Sequence, residues 1–242
     1  MGAMKTSTLL LMSLGLAVSL DAEARRVVYD LGHGQTSVIT QMPELGKKLG
    51  YEVESVQGSL TAAALQDAKL LYLRTPTKPY AADEKLAIEA FVRQGGSLLV
   101  VLDEEQRTGL NATGVNDILA PFGLELTADT EYLHNTGAVA PAGVVNRANR
   151  ELPYSGGRAV TGGKAFAWQL DREGKVAQPY ASYVEVGKAR IVVMAEAMAS
   201  AFMGKAEGVR LSGVPRDPQN TVYWGKDSEP FMEEVMEWLL TP

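Results

Sequence analysis

One stretch of the sequence constrains the fold more than any other, because it predicts two buried strands joined by a helix. Residues 69–73 (KLLYL) barely alternate between apolar and polar side chains, which is typical of a strand buried on both faces. Residues 82–94 then show helical periodicity, Gly95 and Gly96 end the helix, and residues 97–103 (SLLVVLD) form a second apolar run. A strand, a helix and a strand in this order predict a crossover between parallel strands, and hence an α/β fold.

The same alternation of apolar runs and helical segments extends over most of the chain. Residues 26–30 (RVVYD) and 51–56 (YEVESV) are predicted strands with a helical segment between them. Residues 189–196 (ARIVVMAE) predict a late strand of the same sheet, and a closing helix is expected to begin at Asp227 or Ser228. We therefore expect a mainly parallel central sheet with helices on both faces.

Residues 127–188 follow a different pattern, in which Gly, Pro and Asn separate short extended pieces such as KAFAWQL and YASYVEV. We interpret this segment as a β-rich insertion in a single domain that spans residues 25–242. Gly187 and Lys188 are placed to turn a hairpin back into the late strand.

The first 24 residues are predicted to be a signal peptide. Lys5 supplies a positive charge, residues 9–20 are an apolar run, and Ala22 and Ala24 flank Glu23 in a small-x-small cleavage site. The alternative is a frayed N-terminal helix of a cytosolic protein. Because the apolar run is shorter than the roughly 20 residues of a membrane span, we expect a periplasmic or secreted protein with no membrane span in the mature chain.

Composition excludes several classes of function. With 242 residues, 46% of them hydrophobic, the chain can bury a substantial core. A formal charge of -6 argues against a surface that binds nucleic acid, since neutralising phosphates needs clustered Lys and Arg. The absence of cysteine excludes disulfides and a thiol nucleophile.

Polar side chains follow the ends of four predicted strands. In an open α/β sheet, ligands bind beyond the carboxyl ends of the strands, near the point where strand order reverses. If the first and third strands are adjacent, His33 and Arg74 flank the same crevice. The expected ligand-binding residues are Asp30, His33, Gly34, Gln35, Arg74, Thr75, Asp103 and Glu196.

His33 admits two interpretations. Gly32 and Gly34 on either side allow the backbone to turn sharply and to approach a ligand closely. The imidazole either contacts that ligand or hydrogen-bonds Asp30 or the backbone to hold the loop. His134, the second of the two histidines, is expected to be exposed or locally bonded.

Catalysis, if present, would rest on Asp30, His33 and Glu104. Paired carboxyl groups hydrolyse glycosides, and the acidic run 103–105 with Asp30 or Glu196 is the set placed for it, although such a run is usually a solvated loop. A metal held by Asp30, His33 and an acid of that loop lacks any close ligand-pair spacing, so we predict none. The dinucleotide fingerprint is matched only in its first two glycines, so no cofactor is expected.

Exposed aromatic side chains would offer stacking platforms for sugar rings, whereas core packing is their commoner role. The aromatic residues that lie in or after the insertion are Trp168, Tyr180, Tyr183, Tyr223 and Trp224.

Several segments, taken in order, resemble a known family. They are YDLGHGQ, LLYLRTPTKPYAADEKLAIEAFVRQGGSLLVVLD, GVNDILAPFGLEL, ARIVVMAEAMAS and the closing EWLL. Together they resemble the DUF4350 or GIFT-type domains of the class I glutamine amidotransferase-like superfamily, over about residues 26–126 and 189–240. The Asp-x-x-His-Gly segment of these domains matches here as Asp30, His33 and Gly34.

The resemblance implies a flavodoxin-like three-layer sandwich without amidotransferase chemistry, because that chemistry needs a cysteine nucleophile and this chain has none. Domains of this group are regarded as noncatalytic, so the implied function is to bind a carbohydrate or a protein partner. Two alternatives stay open. One is a hydrolase that acts on a glycan or cell-wall substrate, and the other is a structural subunit of an envelope assembly.

Overall fold

The apolar runs of the sequence form strands. The computed structural model describes residues 26–35, 39–131, 137–154, 156–171, 173–203 and 225–241. The predicted signal peptide, His134, Tyr223 and Trp224 lie outside these residues. The strands within them are β1 Arg26–Asp30, β2 Glu52–Val56, β3 Ala68–Arg74, β4 Ser97–Val101, β5 Leu124–Leu126, β6 Ala138–Ala140, β7 Arg150–Leu152, β8 Val160–Gly162, β9 Lys164–Leu170, β10 Val176–Val186 and β11 Ala189–Met194.

Helices form where the sequence shows helical periodicity, with one short helix, α4, that the periodicity did not predict. Their bounds are α1 Gln41–Lys48, α2 Ala62–Leu65, α3 Ala82–Arg93, α4 Leu110–Thr113, α5 Val115–Leu119 and α6 Ser228–Leu240, with single 3-10 turns at Ala120–Phe122 and Ala199–Ala201. Among these described helices, none has the length and apolar character needed to cross a membrane.

The main sheet has nine strands in the order β2-β1-β3-β4-β11-β10-β9-β6-β7. Strands β1, β2, β3, β4 and β11 pair in parallel, which confirms the predicted parallel centre. The first and third strands are adjacent, so the strand order reverses between them. Beyond β11 the remaining strands of this sheet pair antiparallel, and the sheet as a whole is mixed.

The central strands are covered on both faces. On one face, which we call the α6 face, Tyr72 and Val101 pack in one apolar cluster with Phe231 of α6. On the other, the α3 face, Leu71 packs in a second cluster with Ile88 of α3. Because successive side chains of a strand point to opposite faces, Arg74 shares the α6 face with Tyr72.

The insertion is β-rich, as predicted, but it is part of the main sheet. Strand β10 pairs with β11 along six residues and also pairs with β9, which in turn carries β6 and β7. Only β8 leaves this sheet, and it pairs with β5 in a two-stranded sheet. The hairpin predicted at Gly187 is present, and this glycine has the positive φ, 60°, that a tight turn favours.

The predicted end of β4 was wrong, whereas α6 begins at Ser228 as predicted. Strand β4 ends at Val101, so that Asp103 lies beyond the strand and not at its end. The side chain of Asp227 does not cap α6, because it accepts a hydrogen bond from the backbone N–H of Glu151 at 2.9 Å. Asp227 therefore ties β7 to the start of the last helix.

Candidate functional site

The imidazole of His33 is held by two carboxylates. Its Nδ1 lies 2.9 Å from Oδ2 of Asp30, and its Nε2 lies 3.0 Å from Oε2 of Glu84. The ring of Tyr80 stacks on it at a centroid distance of 4.0 Å, and the Tyr80 hydroxyl donates to Asp30 at 2.9 Å. With both nitrogens facing carboxylate oxygens, the ring is placed to donate two hydrogen bonds as an imidazolium.

The electrostatics of this group agree with its geometry. Burial lowers the pKa of His33, but the hydrogen bonds and charges of Asp30 and Glu84 outweigh it and raise the pKa above its ordinary value. Burial raises the pKa of Glu84, yet hydrogen bonds from the backbone N–H groups of Ala81 and Leu60 and from His33 bring it below its ordinary value. Both shifts favour the ionised form of the His33–Glu84 pair.

The loop backbone is organised around the same residue. The carbonyl oxygen of His33 accepts hydrogen bonds from the N–H groups of Thr77 at 3.0 Å and of Lys78 at 2.9 Å. A Cβ atom on Gly34, which has φ of +68°, would collide with the Thr77 side chain, and one on Gly32 would collide with the carbonyl oxygen of Gly58. The sequence suggested that these glycines allow the backbone to approach a ligand closely. In the structure they allow close packing between loops instead.

Gln35 also serves the loop. Its Oε1 accepts a hydrogen bond from the Tyr29 hydroxyl at 2.8 Å, and its Nε2 donates to the carbonyl oxygen of Asp30 at 2.9 Å. These contacts leave the Gln35 amide engaged at both ends. Of the two interpretations of His33, the contacts favour the one in which the ring holds its loop.

The structure corrects the expectation that His33 and Arg74 flank one crevice. His33 bonds to α3 and stacks on Tyr80, which belongs to the cluster of the α3 face. Arg74 lies on the α6 face and donates from Nε to the hydroxyl of Ser200 at 3.2 Å. The condition for that expectation, the adjacency of β1 and β3, is met, but the two side chains lie on opposite faces of the sheet.

Thr75, the next residue of the predicted site, has an unusual backbone. It is fully buried and has φ of 40°, a conformation that is costly for a β-branched residue. Its N–H donates to the carbonyl oxygen of Val101 at 2.7 Å, and its hydroxyl accepts from Arg74 at 3.4 Å. Strain of this kind concentrates at functional positions, and here it lies beside the buried arginine.

Asp103 and Glu196 are neighbours beyond the ends of β4 and β11. The parallel register pairs Met194 with Val101, and the N–H of Leu102 donates to the carbonyl oxygen of Met194 at 3.0 Å. Two residues further on, Asp103 and Glu196 follow the same alternation and return to the α6 face. The structure thus places this predicted carboxyl pair on the side of the sheet that holds Arg74.

The two carboxyl groups share a desolvated environment. Asp103 is 8% exposed and Glu196 is 1% exposed. Burial raises the pKa of Glu196 well above its ordinary value, and the charge of Asp103 adds to the rise. Burial likewise raises the pKa of Asp103, against the opposing effect of Arg107. Burial therefore favours the protonated, neutral form of Glu196.

Glu104 was expected in a solvated loop, and that expectation was wrong. It is 8% exposed, and its Oε1 accepts hydrogen bonds from Nε of Arg107 at 2.9 Å and from Nε2 of Gln106 at 2.6 Å. These contacts fold the acidic run against its own following residues. Neither Asp103 nor Glu104 therefore faces open solvent.

Arg158 is a buried residue that the sequence did not single out. It is fully buried and donates to the carbonyl oxygens of Asp103 at 2.6 Å, Thr127 at 3.0 Å and Thr108 at 2.6 Å. It also donates to Oε2 of Glu105 at 2.6 Å. A single guanidinium therefore joins the insertion to the loop that carries the acidic run.

Two residues of the His33 cluster were missed because they are distant from His33 in sequence. Glu84 and Tyr80 complete the His33 cluster, but they lie 51 and 47 positions away in sequence. A signal was present for Glu84, which stands in the first turn of a predicted helix, where a glutamate accepts from the preceding backbone N–H. For Arg158 no signal was available, because its partners come from separate loops.

The described aromatic residues of the insertion do not form an exposed platform. Tyr180 and Tyr183 are buried and pack in the cluster of the α6 face, where Tyr183 also meets Trp238 edge-to-face at 4.8 Å. Trp168 is half-buried in β9. In the residues that the structure describes, no group of three or more His, Asp or Glu side chains is arranged to hold a metal ion.

Comparison with known proteins gives a family and a fold. A family described as the IFT52 GIFT domain matches residues 27–205 of this chain. No curated protein matches the sequence.

Three solved structures illustrate the shared fold. The mmIFT52 N-terminal domain has a TM-score of 0.64 at 16% identity, with 89% of this chain and 98% of that chain covered. The cytoplasmic protein STM1381 from Salmonella typhimurium LT2 has a TM-score of 0.57 at 12% identity, with 88% and 99% covered. A putative GMP synthase protein from Thermoplasma acidophilum has a TM-score of 0.51 at 10% identity, with 89% and 94% covered. At these identities the likeness concerns the fold alone.

Proposed function

The chain belongs to the IFT52 GIFT domain family, and we propose from this membership that it is a noncatalytic module that binds a carbohydrate or a protein partner. The observation that carries the proposal is the state of His33. It is the only histidine among the described residues, and both of its nitrogens bond to carboxylates. A general base needs a free nitrogen within reach of a substrate, and this ring has none.

We further propose that the fold is a flavodoxin-like three-layer sandwich of the class I glutamine amidotransferase-like superfamily, of the DUF4350 type. The order β2-β1-β3-β4 in the parallel part of the sheet supports it. So does the likeness to the putative GMP synthase protein, with its TM-score of 0.51. Amidotransferase activity is not part of the proposal, because the chain contains no cysteine.

The proposed location is the periplasm or the medium, with no nucleic-acid partner, no cofactor and no membrane span in the mature chain. The pattern of residues 1–24 and the charge of -6 support this proposal. The ligand site is proposed at Arg74, Thr75, Asp103 and Glu196. Asp30, His33, Gly34 and Gln35 are assigned to holding the neighbouring loop.

A second candidate, a hydrolase of glycan or cell-wall substrates, is favoured by the carboxyl pair. Asp103 and Glu196 each lie two residues beyond the register pair Val101–Met194, and burial raises the pKa of both carboxyl groups. A protonated and an ionised carboxyl group are what glycoside hydrolysis requires. Their burial opposes this function, since a scissile bond has to reach both groups.

Turnover and binding measured side by side separate the two candidates. The full chain is incubated with oligosaccharides and peptidoglycan fragments, product release is followed, and the melting temperature is recorded with each compound. The binding module predicts a rise in melting temperature without product. Turnover that Glu196→Gln and Asp103→Asn both abolish, in variants that melt cooperatively, would establish the hydrolase instead. A cross-linked protein partner that is lost in Arg74→Met would place the protein-binding form of the module at the same site.

A further inference from the structure

Strand β2 forms one edge of the nine-stranded sheet, and among the described residues it pairs only with β1. It is the least covered of the parallel strands, because Glu52, Glu54 and Ser55 are exposed and Val53 and Val56 are half-buried. An edge strand presents a row of backbone donors and acceptors on which another strand can pair. This edge is therefore a candidate interaction surface.

The backbone groups on the outer side of β2 belong to Val53 and Ser55. The N–H of Leu31 donates to the carbonyl oxygen of Val56 at 2.8 Å, so the backbone groups of Val56 face β1. Their direction alternates from residue to residue, and those of Val53 and Ser55 therefore point away from β1. No described residue bonds to the backbone of either one.

The opposite edge of the sheet is covered by residues 225–227. The N–H of Asp227 donates to the carbonyl oxygen of Glu151 in β7 at 3.0 Å, and the Asp227 carboxylate accepts from the N–H of Glu151 at 2.9 Å. A Cβ on Gly225 would collide with the backbone of Glu151. Two copies of this sheet can therefore join only edge β2 to edge β2, which gives a closed two-fold pair and not a fibre.

Charge excludes two registers of such a pair. Glu54 is exposed, and its Oε2 accepts from Nε of Arg26 at 2.7 Å. A two-fold axis at Glu54 would set this carboxylate opposite its own copy, and an axis at Val53 would set it opposite Glu52 of the second copy. Like charges directly opposite each other on neighbouring strands are destabilising.

An axis at Ser55 avoids both of these charge contacts. Glu54 then lies opposite Val56 of the second copy, and Glu52 lies opposite Gly58 of the second copy. Space is available at that position, because a Cβ on Gly58 would meet nothing within 4 Å.

We infer that β2 pairs antiparallel with β2 of a second copy of this chain, about a two-fold axis at Ser55, so that one sheet runs through both copies. Ser55 exchanges N–H to carbonyl hydrogen bonds with its own copy, and Val53 does so with Gln57 of the second copy. The pairing goes beyond the binding function proposed above and does not depend on it.

Analytical ultracentrifugation of the full chain measures the pairing. The mass is expected to rise from one chain toward two between about 1 μM and about 1 mM. A mass of one chain at the upper concentration overturns the inference and leaves the edge to a strand of a different protein. A mass that climbs past two chains overturns the closed pair.

Ser55→Pro removes the outward N–H and leaves the bonds between β1 and β2 in place. Proline is accepted on edge strands where the N–H faces away from the sheet. The variant is expected to pair at least about tenfold more weakly, with the melting temperature of the dilute protein unchanged. Ser55→Ala keeps the N–H and is the matched control, expected to pair like the wild type. Pairing that persists in Ser55→Pro overturns the inference.

Single cysteines test the register, and they decide the matter even if Ser55→Pro is unstable. The chain has no cysteine of its own. Ser55→Cys places two thiols across the axis with Cα atoms about 5.5 Å apart, within the range of a disulfide. Glu52→Cys is also exposed, but its two copies would lie roughly 20 Å apart along the strands. Ser55→Cys is expected to cross-link at least about tenfold faster under mild oxidation, and equal rates overturn the inference.

Discussion

His33 lies between Asp30 and Glu84, which raise its pKa, and the stability of the protein should depend on these contacts. His33→Ala leaves two buried carboxylates without their partner and is expected to lower the free energy of unfolding by about 3 kcal/mol at pH 6. Equilibrium unfolding in urea measures the loss. Lys78→Ala, which removes an exposed positive charge from the same group of loops, is expected to change stability by less than about 0.5 kcal/mol.

The direction of the pH dependence follows from the raised pKa of His33. A group whose pKa is higher in the folded state stabilises fully below its unfolded value of 6.5, and the contribution is lost as the pH rises through the folded value. The difference between wild type and His33→Ala should therefore shrink as the pH rises above 6.5. A difference that grows over this window would contradict the ion-pair assignment.

Glu196 gives a second pH dependence of stability, which begins at a lower pH than that of His33. Its raised pKa means that the folded state holds a proton that the unfolded state releases above pH 4.5, so stability is lost as the pH rises from there. Glu196→Gln keeps a neutral side chain of the same shape. It is expected to raise stability on the order of 1 kcal/mol at pH 8 and to leave it unchanged at pH 4, measured by thermal unfolding at both values.

At this scale the sequence predicted contacts between near neighbours and missed distant ones. Asp30 and His33 are three positions apart in one loop, so their pairing was among the interpretations. Glu84 approaches from a helix 51 positions away, and only the path of the chain brings it there. The proximity of Asp103 and Glu196 could be predicted because both follow strand ends, but the raised pKa of each carboxyl group depends on burial.

Among the elements, the contact between the loop after β1 and the loop after β2 is a close backbone approach. A Cβ on Gly32 would collide with the carbonyl oxygen of Gly58, whereas a Cβ on Gly58 would meet nothing within 4 Å. Gly32→Ala is therefore expected to destabilise by about 2 kcal/mol, and Gly58→Ala by less than about 0.5 kcal/mol. Urea unfolding measures the loss of stability in each variant. Equal losses in Gly32→Ala and Gly58→Ala would refute the close backbone approach at Gly32.

Arg158 connects the insertion to the loop after β4 and offers another matched comparison. Arg158→Met leaves the carbonyl oxygens of Asp103, Thr108 and Thr127 without this donor and is expected to lower the free energy of unfolding by about 3 kcal/mol. Arg107→Met removes a guanidinium with 60% exposure that contacts the same acidic run, and should cost less than about 1 kcal/mol. Urea midpoints rank the two, and limited proteolysis should cut the loop faster only in Arg158→Met.

The elements were predictable where their signals are local. Helix α3 and its neighbouring strands follow from periodicity and from Gly95 and Gly96. The short helix α4 has too few residues for a periodic pattern, and the junction of β10 with β11 and β9 depends on pairing across the sheet. For that reason the insertion was recognised as β-rich but was not predicted to extend the main sheet.

For the whole molecule, the nine-stranded sheet means that the insertion is not a removable part. Replacing residues 127–188 by a short Gly-Ser linker exposes the edge of β11 and removes the tyrosines that pack beneath α6. The shortened chain is expected to lose its cooperative thermal transition, monitored by circular dichroism. A sharp transition near that of the intact protein would show that the parallel part folds alone.

Strand β11 is parallel to β4 on one side and antiparallel to β10 on the other. During synthesis the first four strands leave the ribosome with the hydrogen-bonding edge of β4 open, and the strand that closes it emerges almost 90 residues after β4 ends. An open edge between apolar strands invites pairing with other chains. The parallel part of the sheet thus stays incomplete for a long interval during synthesis. We expect a chaperone that binds nascent chains at the ribosome to raise the soluble yield of the protein.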